Sequence, residues 1–223
     1  MCFSAEASFT GAAVITAIGT AALVNVKKPK QILFAAIPII FGIQQCAEGI
    51  MWITLRSGGH GQLQDAATYI FLVTALVIWP TMIPLSAHML ETEKVRKNIL
   101  NGFTAAGGLV SLFYAYCLIF YRVTPQIESF HIQYVDNFPG VAVKIVLGLY
   151  LLVTIVPLFV SSVKRMWLFG ILILISCLVT VIFYSQFLTS VWCFFAACIS
   201  VVIFWVLNGI NKRTDTGETD SLP

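Results

Sequence analysis

Phe41-Gly42-Ile43-Gln44-Gln45-Cys46-Ala47-Glu48-Gly49-Ile50-Met51-Trp52 decides the fold, because it sets two amides and a carboxyl inside an otherwise apolar run. At helical spacing Gln44, Glu48 and Trp52 stand on one face, with Gln45 beside Glu48 at i, i+3. Gly42, Cys46 and Gly49 form a small-residue stripe on a neighbouring face, which lets a second helix approach closely. A carboxyl in hydrocarbon costs about 2.5–3.5 kcal/mol on insertion scales. The polar face is therefore expected to point into protein, and Glu48 to belong to a site.

Around this stretch the whole chain is apolar. Of 223 residues 59% are hydrophobic and 10% charged, with a mean hydropathy of +0.91, far from the balance of a soluble domain. Apolar runs of spanning length recur at residues 4–25, 31–55, 66–89, 99–121, 140–160, 166–184 and 190–209. The expected fold is all-α: a polytopic membrane protein of seven transmembrane helices over residues 1–210, followed by a disordered tail at 211–223. No basic segment precedes the first run, which reads as a helix and not as a cleaved signal peptide.

Lys27, Lys28, Lys30, Lys94, Arg96, Lys97, Lys164, Arg165, Lys212 and Arg213 fall at one end of these runs. Arg56, Arg122 and Lys144 fall at the other. Ten of 13 basic residues thus mark a cytoplasmic side, with the N-terminus outside and the C-terminus inside. The net charge of +3 follows from this asymmetry and argues against nucleic acid as a partner; the bilayer is the expected one, and the oligomeric state stays open. Six cysteines are scattered without a CxxC pair, which excludes zinc-finger and thioredoxin-like readings. Cys2, Cys117 and Cys193 share the outer end, from which any disulfide would be drawn.

Ser4 suits an N-cap and Glu6 a first helical turn, against an equal case for Glu6 as a ligand. Glycines and alanines make the first helix thin, which suits a central position. In the third run Pro80 and Pro84 free the carbonyls of Leu76 and Pro80 and predict a kink. His88 and Glu91 read as a solvated interfacial pair. Tyr114 is the deepest tyrosine of the fourth run, and the long 122–139 connection is expected to hold a short helix acting as a lid. Lys144 is expected to snorkel outward rather than to pair with Glu48.

The opening Met1-Cys2-Phe3-Ser4-Ala5-Glu6-Ala7-Ser8-Phe9, the Gln44-Gln45-Cys46-Ala47-Glu48-Gly49 motif with Trp52, and Ser190-Val191-Trp192-Cys193-Phe194-Phe195-Ala196-Ala197 resemble the signatures of a bacterial family of multi-pass membrane proteins of unknown function. The resemblance spans nearly the whole chain. It implies a bacterial cytoplasmic (inner) membrane and supplies no activity. A retinal protein would need a lysine in the last helix, and a zinc-dependent intramembrane hydrolase several histidines within the helices; this chain has neither. The absence of an internal repeat weakens a transporter reading.

Cys2, Ser4, Glu6, Gln44, Gln45, Glu48, Tyr114, Trp192 and Cys193 come to a similar depth, as a pocket in the outer leaflet. The favoured reading is binding or sensing of a small ligand or a metal ion. The alternatives are a membrane-embedded enzyme using Glu48 with Cys2 or Ser4, a small-solute or proton-coupled transporter, and a bundle whose polar groups only lock packing. Removal of Met1 would leave an aminothiol on Cys2, which with Glu6 and Glu48 offers N, S and O donors to a divalent metal ion.

Overall fold

The computed structural model describes residues 4–58, 61–128 and 130–215, with side chains through Lys212. Among the described residues seven segments are long and apolar enough to cross a membrane. Helix α1 (Ala5–Val24) starts at Ser4, whose hydroxyl accepts the Ala7 amide at 3.3 Å. Helix α2 (Ile32–Arg56) follows a short 3-10 turn. Helix α3 (Gln62–Leu72), a π-helical segment at Val73–Ile78 and helix α4 (Trp79–Leu90) make one continuous span. Then come α5 (Lys94–Phe120), strands β1 (Val123–Glu128) and β2 (His131–Asp136), α6 (Gly140–Val160) and α7 (Met166–Phe183). The last span is divided into α8 (Leu188–Ile199) and α9 (Val201–Asp215).

Helix α2 is the centre. In its most apolar window 61% of residues are buried, as in that of the third span, against 28% for α1, so the thin first helix lies at the edge and not at the centre as expected. Its small residues serve one close contact, with α2. A Cβ on Gly42 would fall 2.1 Å from Thr16 Oγ1, one on Gly49 2.9 Å from the Phe9 ring, and one on Gly19 2.6 Å from Ile39 Cγ1. Glycine is what lets the two backbones meet. Cys46 does not belong to that stripe. It is exposed, on the side of α2 that also presents Ile43 and Ile53.

The bend in the third span is accommodated by its neighbours. Two carbonyls of the π-helical segment accept from neighbouring helices: Tyr150 Oη donates to that of Ala75 at 2.6 Å, and Ser111 Oγ to that of Val77 at 2.6 Å. Thr81 and Ser111 share a 2.8 Å hydrogen bond. Gly107 of α5 gives space to the Pro80 carbonyl, which a Cβ there would meet at 1.9 Å. The Ala75 and Val77 carbonyls are thus met by side chains of α6 and α5.

Two expectations are corrected in the connections. The 122–139 segment is an antiparallel hairpin and not a short helix: β1 pairs with β2 from Val123↔Asp136 to Glu128↔His131. Ile132 is fully buried, Tyr134 stacks on Phe71 with centroids 5.1 Å apart, and His131 stacks on Phe187 at 4.5 Å. The hairpin therefore sits on the bundle end with α3 and the α7–α8 turn, so the fold is helical with one small sheet. At the lysine-rich end α9 runs on to Asp215, past the start expected for a tail at 211. Asn211 explains why. It is buried, accepts from Gln31 Nε2 at 2.9 Å and donates to the Asn25 carbonyl at 2.7 Å. Residues 216–223 lie outside the described residues.

Candidate functional site

The polar face of α2 is turned inward as its spacing predicts: Gln44, Gln45 and Glu48 are each fully buried, and Trp52 nearly so. Gln44 is fixed from α4. Trp79 stacks on Phe41 with centroids 4.1 Å apart, and its indole N–H donates to Gln44 Oε1 at 3.0 Å. Glu48 is fixed from α8, where the fully buried Ser190 hydroxyl donates to its Oε1 in a short hydrogen bond. Gln45 lies near the Glu48 carboxyl, but neither of its amide atoms makes a hydrogen bond of acceptable geometry.

The rest of this region is unmatched. Glu48 Oε2, Gln44 Nε2, both Gln45 amide atoms, Trp52 Nε1, Ser8 Oγ on α1, Gln64 Oε1 on α3 and Trp192 Nε1 on α8 have no hydrogen-bond partner among the described residues. Each such buried group costs about 1–3 kcal/mol if left unmet. Native interiors pair nearly all their polar atoms. Here several unpaired ones share α2 and the elements against it.

Beside this face lies a cavity of about 40 Å³, whose walls include Phe41, Trp79, Tyr150, Thr154, Trp192 and Cys193. It is large enough for a water-sized guest. Its lining is mostly apolar and aromatic, and Trp79 in its wall donates to Gln44. Cys193 is a buried free thiol in the wall. Tyr114 is buried and is linked to the region through Tyr150, whose ring lies edge-on to Tyr114 at 6.2 Å and to Trp192 at 5.9 Å.

The start of the chain divides. Ser4 caps α1, which occupies its hydroxyl locally. Glu6 is exposed in the first turn of α1 and lines an outward groove with Phe194 and Cys198. Cys2 and the state of Met1 lie outside the described residues, as does His60. Among the described residues no three His, Cys, Asp or Glu side chains gather as metal ligands. Lys144 is exposed, consistent with an outward-reaching amine. Cys117 and Cys193 are both free thiols.

Ser8, Gln64, Trp79 and Ser190 were not among the residues expected in the site. Ser190 and Ser8 carried the one usable signal, an outer-end position at the depth of Glu48. Trp79 and Gln64 carried none, since an indole inside an apolar run and an amide near a helix end are both common. Glu91 is a further correction. It is 2% exposed and not a solvated partner of His88. Its Oε1 accepts from the Thr92 amide (2.9 Å), the Glu93 amide (3.0 Å) and the Ser162 hydroxyl (2.6 Å), and its Oε2 from the Ser162 amide (2.7 Å). Burial alone would raise its pKa, but these bonds hold the carboxyl below its ordinary value.

No curated protein and no solved structure matches the chain. A family model, described as a family of unknown function (DUF6629), matches residues 1–218. The opening, the Gln-Gln-x-x-Glu-Gly motif of α2 and the Trp-Cys of α8 all fall within that span, and the chain belongs to this family.

Proposed function

We propose that the chain is a multi-pass membrane protein that binds a small polar ligand against the inward face of α2. The observation that carries this reading is the set of unmatched buried groups around Glu48 and the two glutamines. They offer donors at Gln44, Gln45, Trp52 and Trp192 and acceptors at Ser8, Gln45, Glu48 and Gln64. A guest with both kinds of group, such as a small amide, alcohol or amine, would recover the desolvation cost that the protein alone leaves open. The distribution of lysines and arginines supports a cytoplasmic lysine-rich end and an outer-leaflet site, and the family resemblance a bacterial inner membrane.

Glu48 is the residue on which the reading turns, because its carboxyl is half satisfied: Oε1 accepts from Ser190 and Oε2 has no hydrogen-bond partner among the described residues. Ser190 now stands where the enzyme alternative placed Cys2 or Ser4, but a hydroxyl donating to a carboxyl does not by itself make a nucleophile. The test is native mass spectrometry with elemental analysis on wild type and Glu48→Leu, purified alike in mild detergent. A small mass or a stoichiometric metal retained by wild type and lost from Glu48→Leu is expected. Identical bare masses for both proteins overturn the reading in favour of packing.

A further inference from the structure

At the lysine-rich end a second cavity, of about 150 Å³, opens between the 3-10 turn before α2, the end of α4, the α6–α7 connection and α9. Lys28 and Lys30 enter it from one loop and Lys164 from another, together with Thr92 and Ser162. Lys28 and Lys30 are half-buried, and none of the three ammonium groups has an ion-pair partner among the described residues. The acid beside the cavity, Glu91, is already committed to Ser162 and to the amides of Thr92 and Glu93. Arg165 adds a further positive group behind Gly209, where a Cβ would lie 3.1 Å from its Nη1.

The preference of cytoplasmic loops for lysine explains which end these residues occupy. It does not explain why they are folded around a concavity, where like charges repel unless an anion lies between them. The frame is stiff on one side: Gln31 Oε1 accepts the Lys27 and Lys28 amides at 2.9 and 3.2 Å, and its Nε2 is tied to Asn211. We infer that this cavity is an anion site for a phosphate group, held by Lys28, Lys30 and Lys164 with a hydroxyl donor at Thr92, while the Ser162 hydroxyl stays committed to Glu91. Compact ammonium groups suit a phosphate as point charges, and basic pockets between helices at this end take lipid headgroups. The same chemistry would take free phosphate. The inference is independent of the α2 site at the far end.

The test uses the full-length, delipidated protein in neutral detergent, with its unfolding midpoint followed against phosphatidylglycerol, phosphatidylcholine or inorganic phosphate. Two variants of equal charge are compared, Lys30→Gln/Lys164→Gln in the cavity and Lys94→Gln/Lys97→Gln outside it. Saturable stabilisation of wild type is expected, with the half-saturating concentration raised about tenfold or more by the cavity variant and less than about twofold by the other. Stabilisation by phosphatidylglycerol alone assigns a lipid headgroup, and by inorganic phosphate alone a free anion. Equal losses in both variants, or no saturable stabilisation of wild type, overturn the site. If the double variant does not fold, the exposed Lys164→Gln alone carries the comparison.

Discussion

Glu48 and Glu91 are both buried acids, 0% and 2% exposed, yet the protein treats them in opposite ways. Glu91 accepts four hydrogen bonds and pins the α6–α7 connection to the end of α4. Glu48 accepts one, from Ser190, among neighbours that are themselves unmatched. Burial does not separate the two carboxyls. Saturation of their oxygens does.

Substitution should break this pairing most visibly at Glu91. Glu91→Leu strips acceptors from two amides and from both donors of Ser162, and is expected to destabilise by roughly 2–3 kcal/mol, since water reaches part of the vacated shell. Chemical denaturation in detergent measures it. Glu48→Gln should insert, express and unfold within about 1 kcal/mol of wild type, because an amide still accepts from Ser190. If Gln at position 48 unfolds the protein while Leu stabilises it, the contrast collapses and the α2 face is packing.

Acid sharpens the same contrast. With its folded pKa lowered, Glu91 contributes stability that is whole above the ordinary value of 4.5 and is lost as pH falls from there through the folded value. Glu91→Gln should flatten that part of a stability–pH curve. The smallest effect is expected at His131, whose pKa burial lowers from 6.5. The neutral ring is favoured in the folded hairpin, so its contribution is whole above 6.5 and is lost as pH falls through the lowered value. Amide exchange in the strands should quicken on acidification in wild type and change less in His131→Phe.

The helices were legible because hydropathy over some twenty residues is a strong, local signal. The inward face of α2 was legible for the same reason: Gln44, Glu48 and Trp52 repeat at helical spacing. What sequence could not supply was the other half of each contact. Glu91 looks interfacial until Ser162, 71 positions on, folds against it. The hairpin was hidden because the alternation of Val123, Pro125 and Ile127, then Ile132 and Tyr134, is short and the length of the connection suggested a helix. Cys46 was misplaced because spacing ranks faces without saying which one a neighbour occupies, and α1 came to rest against Gly42 and Gly49.

The separation of Glu48 from Ser190 also has a meaning in time. They are 142 residues apart, and at about 5–20 residues per second the ribosome takes roughly 7–28 s to deliver the hydroxyl after the carboxyl. For that interval α2 exists with none of its α8 contacts. Gln31 waits longer still for Asn211, 180 positions later. A nascent chain arrested after α7 therefore carries the whole polar face of α2 without the Ser190 hydroxyl, and its assembly is completed from the last span backward onto the second.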